Sequence, residues 1–285
     1  MNYQWYPGHM TKAKRMMQEN IKLIDMVIEI LDARIPISSK NPDIDELSKN
    51  KLHIILLNKA DLADENKNKK WKRYFEEQGV FVLECNSKQA GTGKKVHALI
   101  EEACKEKRER DRKRGIVNRP VRAMIAGIPN VGKSTFINGI AGKACTKTGN
   151  KPGVTKGKQW IRINSGLEFL DTPGILWPKF EDETVGRNLA FIGSMNDEVI
   201  VTEELAYTLL QELRGLYPGV ICNRYGIDEN TEGNLLEEIA RIRKCFLKGD
   251  VLDLKKASLL VLDDFRNGRL GRISIEEPGI SGKES

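Results

Sequence analysis

The chain has 285 residues, with 47 Lys and Arg against 40 Asp and Glu for a formal net charge of +7, 40% hydrophobic residues and a mean hydropathy of −0.45. These values fit a mildly basic globular protein of one large or two modest domains, and they exclude a disordered chain, a collagen and a small disulfide scaffold. No apolar run approaches the about 20 residues that span a bilayer, and the opening MNYQWYPGHMTKAKRMM lacks an apolar stretch before a small-residue cleavage site, so a cytoplasmic protein without a membrane anchor is expected. Five cysteines, at 85, 104, 145, 222 and 245, are scattered without a CxxC pair, which fits reduced thiols better than disulfides or a zinc site.

In chain order, residues 11–24 place Ala13, Met16, Met17, Ile21 and Ile24 at helical spacing, and MVIEILDA then reads as a strand ending near Asp32. A polar loop with Pro36 and Pro42 follows. LHIILLNKAD is a short apolar run of buried-strand type, WKRYFEEQG is helical and VFVLECNS forms a third strand. Residues 93–113 read as one helix, RAMIAG (122–127) as a strand, and KSTFINGIAG as a helix ending at Gly142. QWIRI and LEFLD pair across the turn Asn164-Ser165-Gly166. This alternation predicts an α/β fold around a mostly parallel sheet. Beyond Trp177-Pro178 the pattern becomes helical: ELAYTLLQELRGL, NLLEEIARIRKCFL, and LKKASLLVLDDFRNG stopped at Asn267-Gly268. The expected division is therefore residues 1–178 and a small all-α unit, 179–285, with a frayed tail from Pro278.

Charge is uneven along the chain. Residues 1–180 hold 34 basic and 20 acidic side chains, a net +14, and the remainder 13 and 20, a net −7. Lys105–Arg122 carries nine cations and three acids. It reads either as a solvated helix end with mixed signs at helical spacing or as a nucleic-acid contact. Lys143–Arg162, with six cations and no acid, favours a phosphate-bearing ligand.

GIPNVGKS, Gly127 to Ser134, fits GxxxxGK[ST] and lies between a strand and a helix, as a P-loop requires. Its amides, from Asn130, Val131, Gly132, Lys133, Ser134 and Thr135, would wrap phosphates at the positive end of the helix. Lys133 would reach the β- and γ-phosphates and Ser134 would ligate Mg²⁺. DTPG, Asp171 to Gly174, closes the strand LEFLD and would set a carboxylate beside Mg²⁺ and the Gly174 amide toward the γ-phosphate. NKAD (Asn58, Lys59, Ala60, Asp61) ends the strand IILL, where α/β sheets bind ligands. The Asp61 carboxylate can accept from N1–H and the 2-amino group of guanine, which selects GTP over ATP. Asn86-Ser87-Lys88 can offer a backbone amide to the guanine oxygen.

The base-reading motifs precede the P-loop and DTPG, the reverse of the ordinary GTPase order. With WYPGHM (Trp5 to Met10), GIPNVGKS, NKPGVT (Asn150 to Thr155) and DTPGIL, the chain resembles the YlqF/YawG-type circularly permuted GTPases over nearly its whole length. The resemblance implies a P-loop GTPase fold with a C-terminal helical domain that touches RNA. It also implies GTP and GDP as ligands with Mg²⁺, and a role in assembling the large ribosomal subunit through contacts with rRNA and ribosomal proteins. Thr155 matches the switch threonine, expected to complete the Mg²⁺ shell. Ordinary GTPases place a water-orienting glutamine after the DxxG glycine; here that position is Ile175, so intrinsic turnover should be slow and partner-stimulated.

Of the three histidines, His53 and His97 read as structural, whereas His9 either caps a helix beginning near Thr11 or, as the resemblance implies, swings toward the γ-phosphate. Asn130 together with the missing glutamine resembles GTPases that use K⁺. Arg241, Arg243, Lys244 and Lys248, with Lys255 and Lys256 nearby, could form a basic RNA-facing stripe or a solvated helix balanced by Glu237 and Glu238. A monomer is expected. The alternative function is a GTP-gated RNA-binding switch with little hydrolysis.

Overall fold

The structure, a computed structural model, describes residues 8–116, 119–142, 144–146, 159–177, 180, 182–197, 200–229 and 233–279, with the backbone only at Gly8 and His9. Among the described residues, six strands form one sheet: β1 (Met26–Asp32), β2 (Leu52–Asn58), β3 (Phe81–Glu84), β4 (Val121–Ala126), β5 (Gln159–Asn164) and β6 (Leu167–Asp171), in the order β3-β2-β1-β4-β6-β5. Every pairing is parallel except β5 with β6. β1 is buried at all seven positions, which is why its sequence is nearly continuously apolar: a parallel strand inside an α/β sheet has both faces covered. Glu29, one of its two polar residues with Asp32, accepts from the Asn41 N–H at 3.3 Å and lies 3.2 Å from His53 Nε2. Those two atoms partner a carboxylate that burial would otherwise penalise. Asp45, also nearby, is paired with Lys40.

From β1 the chain builds outward through β2 and β3, then crosses back to set β4 on the other side of β1. That reversal is a topological switch point, and the crevice at the carboxyl ends of β1 and β4 is where such sheets bind ligands. Helix α6 (Lys133–Ala141) follows β4 and is fixed to β6 by Phe136 and Phe169, both buried, whose rings stack with centroids 6.1 Å apart.

Several elements differ from expectation. Helix α1 (Gly8–Asn20) starts before Thr11, so His9 lies in its first turn. The polar loop contains α2 (Pro42–Ser48), with Asn41 accepting from the Asp43 N–H at 2.9 Å and Pro42 in the first turn, a strong start signal for a short helix. α3 (Glu65–Glu76) follows β2. Residues 93–113 form α4 (Thr92–Ala103) and α5 (Lys105–Lys113), divided at Cys104. In α5, Lys107 pairs with Asp111 and Arg108 with Glu101, both at 2.7 Å, and Lys107 also lies 3.5 Å from Asp25. Of the Lys143–Arg162 stretch, Arg162 alone among the cations lies within the described residues.

The helical part contains α7 (Glu183–Phe191), α8 (Thr202–Leu216), α9 (Val220–Tyr225), α10 (Leu235–Ile242) and α11 (Leu254–Arg266). α10 stops short of the expected Leu247 because Lys244 takes φ +52° and the Cys245 N–H closes onto Ala240 O at 2.8 Å. Arg243, Lys244 and Lys248 therefore do not continue one helical stripe with Arg241. The cysteines are free thiols, as expected. No described helix is long and apolar enough to cross a membrane.

One buried ion cluster ties the two parts together. Asp32, at the end of β1 and fully buried, pairs bidentately with Arg34 at 2.9 and 2.8 Å and with Lys59 at 2.9 Å. Arg34 Nη1 also donates to the Phe265 and Arg266 carbonyls, at 3.1 and 3.4 Å, at the negative end of α11. Burial alone would raise the Asp32 pKa, but the two cations outweigh it and hold the carboxyl well below the usual range.

Two stability measurements follow. Phe169→Ala is expected to cost about 3–5 kcal/mol in denaturant unfolding, because the stacked partner cannot close the hole. Asp32→Asn is expected to cost about 3–5 kcal/mol at pH 7, since it leaves the buried Arg34 and the partly buried Lys59 under-compensated. A depressed folded pKa makes that contribution complete above the unfolded value of about 3.9 and progressively lost in more acid solution. The gap between wild type and variant should therefore narrow below about pH 4; a gap constant down to pH 3 would contradict the assignment.

Candidate functional site

The P-loop and NKAD are in direct contact. Gly132, with φ +100°, begins α6, and a Cβ there would lie 2.5 Å from Asn58 Nδ2, so a larger residue would force the two motifs apart. Asn58 is almost wholly buried. Its Nδ2 donates to Val131 O at 2.7 Å, while its Oδ1 accepts from Ser87 N–H and Oγ at 2.9 and 2.8 Å. It thus braces the P-loop against the Asn86–Lys88 loop. Lys59, held at φ +58°, donates to Asn130 O at 2.8 Å as well as pairing with Asp32. Burial lowers its pKa and Asp32 opposes that shift. Ala60 N–H reaches Cys85 O at 3.1 Å, and Asp61 stands exposed at the tip of the turn. The amides of Ser87 and Lys88 already donate to the Asn58 and Asn86 side chains, so reading a base oxygen through this loop requires one of those bonds to be shared or exchanged.

At the phosphate end, Lys133 Nζ folds back onto the carbonyls of Gly127 and Ile128 at 3.0 and 2.8 Å. Gly174 lies so close that a Cβ would sit 2.8 Å from both Lys133 Nζ and Pro129 N, which brings DTPG against the P-loop. Asp171 is buried at 1% exposure, and neither carboxylate oxygen has a well-formed hydrogen-bond partner. Burial pushes its pKa up to about 6, against the opposing pull of Lys133 and the Thr172 N–H; burial likewise brings Lys133 down to about 8. A buried carboxylate short of well-formed hydrogen bonds, beside a lysine and a loop of amides at a helix N-terminus, fits a divalent cation bound together with phosphates.

Thr155 lies outside the described residues. For His9 the backbone alone is described; its neighbour Met10 is fully buried, and the Met10 Sδ accepts from the Leu176 N–H at 3.5 Å, two residues beyond Gly174. Ile175 is buried at 1% exposure, with its carbonyl accepting from Asn41 Nδ2 at 3.0 Å, so it faces the core.

Sequence reading missed the residues that hold the site from behind. Asn130 Nδ2 donates to Gly193 O, and Ser194 Oγ donates to Pro129 O at 2.7 Å, so the turn after α7 grips the P-loop. Asp32 and Arg34 were also missed, although Asp-Ala-Arg directly after a fully buried strand was a visible signal for a compensated charge.

A family model described as 50S ribosome-binding GTPase matches residues 122–216, which include the P-loop and DTPG but not NKAD. Ribosome biogenesis GTPase A of Bacillus cereus is 45% identical over 100% of this chain and 97% of its own, and that of Thermotoga maritima is 35% identical over 96% and 94%. Among solved structures, a GNP-bound YlqF from T. maritima is similar with TM-score 0.69 at 30% identity, covering 94% of this chain and 99% of that one; a GDP-bound YlqF gives 0.67 at 29%, covering 92% and 98%. Those matches cover 92–100% of the chain, in which NKAD precedes the P-loop and helices follow DTPG. The chain belongs to the ribosome biogenesis GTPase A family and is a circularly permuted P-loop GTPase.

Proposed function

We propose that this protein binds and hydrolyses GTP as an assembly factor for the large ribosomal subunit, and that the precursor particle accelerates its turnover. The observation that carries the reading is the contact between Gly132 and Asn58, which joins a phosphate cradle to a guanine-selective loop at the switch point of the sheet. Relatives spanning the whole chain and named as ribosome biogenesis GTPases support the choice of target.

In this reading the amides from Asn130 to Thr135 cradle the phosphates, and Lys133 leaves the Gly127 and Ile128 carbonyls for the β- and γ-phosphate oxygens. The Gly174 amide meets the γ-phosphate, and Asp61 accepts from the guanine N1–H and 2-amino groups. Ser134, Thr155 and Asp171 would hold Mg²⁺, which neutralises charge developing on the phosphates when bound. Ile175 offers no hydrogen bond to an attacking water, so that task falls to His9, at the start of α1 beside the DTPG-IL segment, once a partner orders it. Asn130 is the proposed K⁺ ligand. The basic residues of the first 180 supply rRNA phosphate contacts, which weaken steeply with salt. The protein acts in the cytoplasm, as a monomer when off the particle, with the sheet-bearing residues 1–178 as the GTPase unit and the helical remainder as the RNA-contacting one.

The test is GTP turnover by the purified protein, alone and with large-subunit precursors, in K⁺ and in Na⁺. The expected result is a rise of at least about tenfold with particles and faster turnover in K⁺. His9→Ala should abolish the stimulation without changing GTP affinity, since it removes a group that acts in the transition state alone. Tight GTP binding with no stimulated turnover by any particle would favour a GTP-gated RNA-binding switch instead.

A further inference from the structure

The segment following α11 does not trail away. Leu270, Ile273 and Ser274 are buried, and residues 270–277 run back across the sheet-bearing part as a strap. The strap is anchored at its far end by Glu276, whose carboxylate accepts from the Ile37 and Ser38 N–H groups at 2.8 and 3.0 Å. It is fixed nearer by Ile275 N–H to Arg34 O at 2.9 Å.

Just ahead of these anchors the strap holds the turn that carries Asp61. Arg272 forks onto two carbonyls of that turn: Nη2 donates to Ala60 O at 3.0 Å and Nε donates to Ala63 O at 2.8 Å. The Ile273 N–H donates to Leu62 O at 2.9 Å. The carbonyls of Ala60, ahead of Asp61, and of Leu62 and Ala63, after it, are therefore pinned by residues more than 200 positions later in the chain, while the Asp61 side chain itself stays exposed. A guanidinium fork suits this task because its planar donors fix two acceptors in a single relative geometry, which an ammonium cannot do.

We infer that Arg272 is a positioning residue for purine selection: it preorganises the Asp61 turn so that the carboxylate meets the guanine N1–H and 2-amino group together. The inference rests on the GTP reading above and adds the element that sets base specificity. Preorganised recognition groups discriminate better because no binding energy is spent ordering them. Losing the fork should therefore weaken the contacts Asp61 makes to the base and leave the phosphate contacts, made by a different loop, in place.

The experiment is calorimetric binding of GDP and of inosine diphosphate, which lacks the 2-amino group, to the full-length protein. Wild type is expected to prefer GDP. In Arg272→Ala that preference should fall by about three- to tenfold, the scale of one hydrogen bond's worth of positioning, through loss of GDP affinity. Arg272→Lys should recover less than half of it. In an Asp61→Ala background, Arg272→Ala should leave the GDP-to-inosine-diphosphate ratio unchanged. The Arg272 side chain is 47% exposed, so the variants should fold, and a thermal melt checks this. An unchanged ratio in Arg272→Ala, equal weakening of both nucleotides, or full rescue by lysine would overturn the inference while the GTP reading stands. A wild type that binds GDP no better than inosine diphosphate would instead remove the GTP reading, and this inference with it.

Discussion

Asp32 is a carboxylate with no exposure to water, placed by β1 next to the end of β2, and a charge in that position persists only if every donor around it stays where it is. Its donors come from two directions. Lys59 belongs to NKAD and carries its remaining reach to the Asn130 carbonyl of the P-loop; Arg34 carries its own to the carbonyl end of α11. The phosphate loop and the helical part are thus linked through Lys59 and Arg34, the two partners of one buried charge. Moving any of them means breaking or replacing a charge-assisted bond in a low-dielectric setting.

The same segments meet again at the P-loop. Pro129 and Asn130 are held by Ser194 and Gly193 from the turn after α7, and Arg266 closes the loop by donating to Ala190 O and Phe191 O at 2.8 and 3.0 Å and pairing with Asp197. Permuting a GTPase puts new termini in the fold, and this chain uses them. The residues after DTPG enter helices that grip the P-loop from behind, and the residues after α11 return to the NKAD turn. The nucleotide loops are therefore joined to the helical part by two chains of hydrogen-bonded groups, one through the 193–194 turn and one through the strap.

Much of this was legible in the sequence for physical reasons. The strands were readable because buried parallel strands are apolar on both faces, and the nucleotide motifs because phosphate binding demands glycines, a lysine and a helix start in fixed spacing. The permutation was visible in motif order alone. What escaped were features that depend on contacts distant in sequence. α2 was hidden in a polar, proline-containing stretch whose helix is set by an Asn41 cap. α10 was overextended because IRKCFL keeps helical spacing while Lys244 turns left-handed. That Asn58 also braces the site was not readable, because that role is fixed by Val131 and Ser87, neither of which is its neighbour in sequence. The strap, ahead of the tail expected from Pro278, alternates polar and apolar residues only over Arg272–Glu276, too short a run to show where it docks until its partners at 60–64 are known.

Hydrogen exchange with and without GDP tests the central claim most directly, that the nucleotide loops and the helical part share one network of buried bonds. Amides of Ile273 and Ile275 in the strap, and of the 193–194 turn, should gain protection on nucleotide binding together with the P-loop. Protection confined to the P-loop and the NKAD turn, with the strap and the 193–194 turn exchanging as before, would contradict the account.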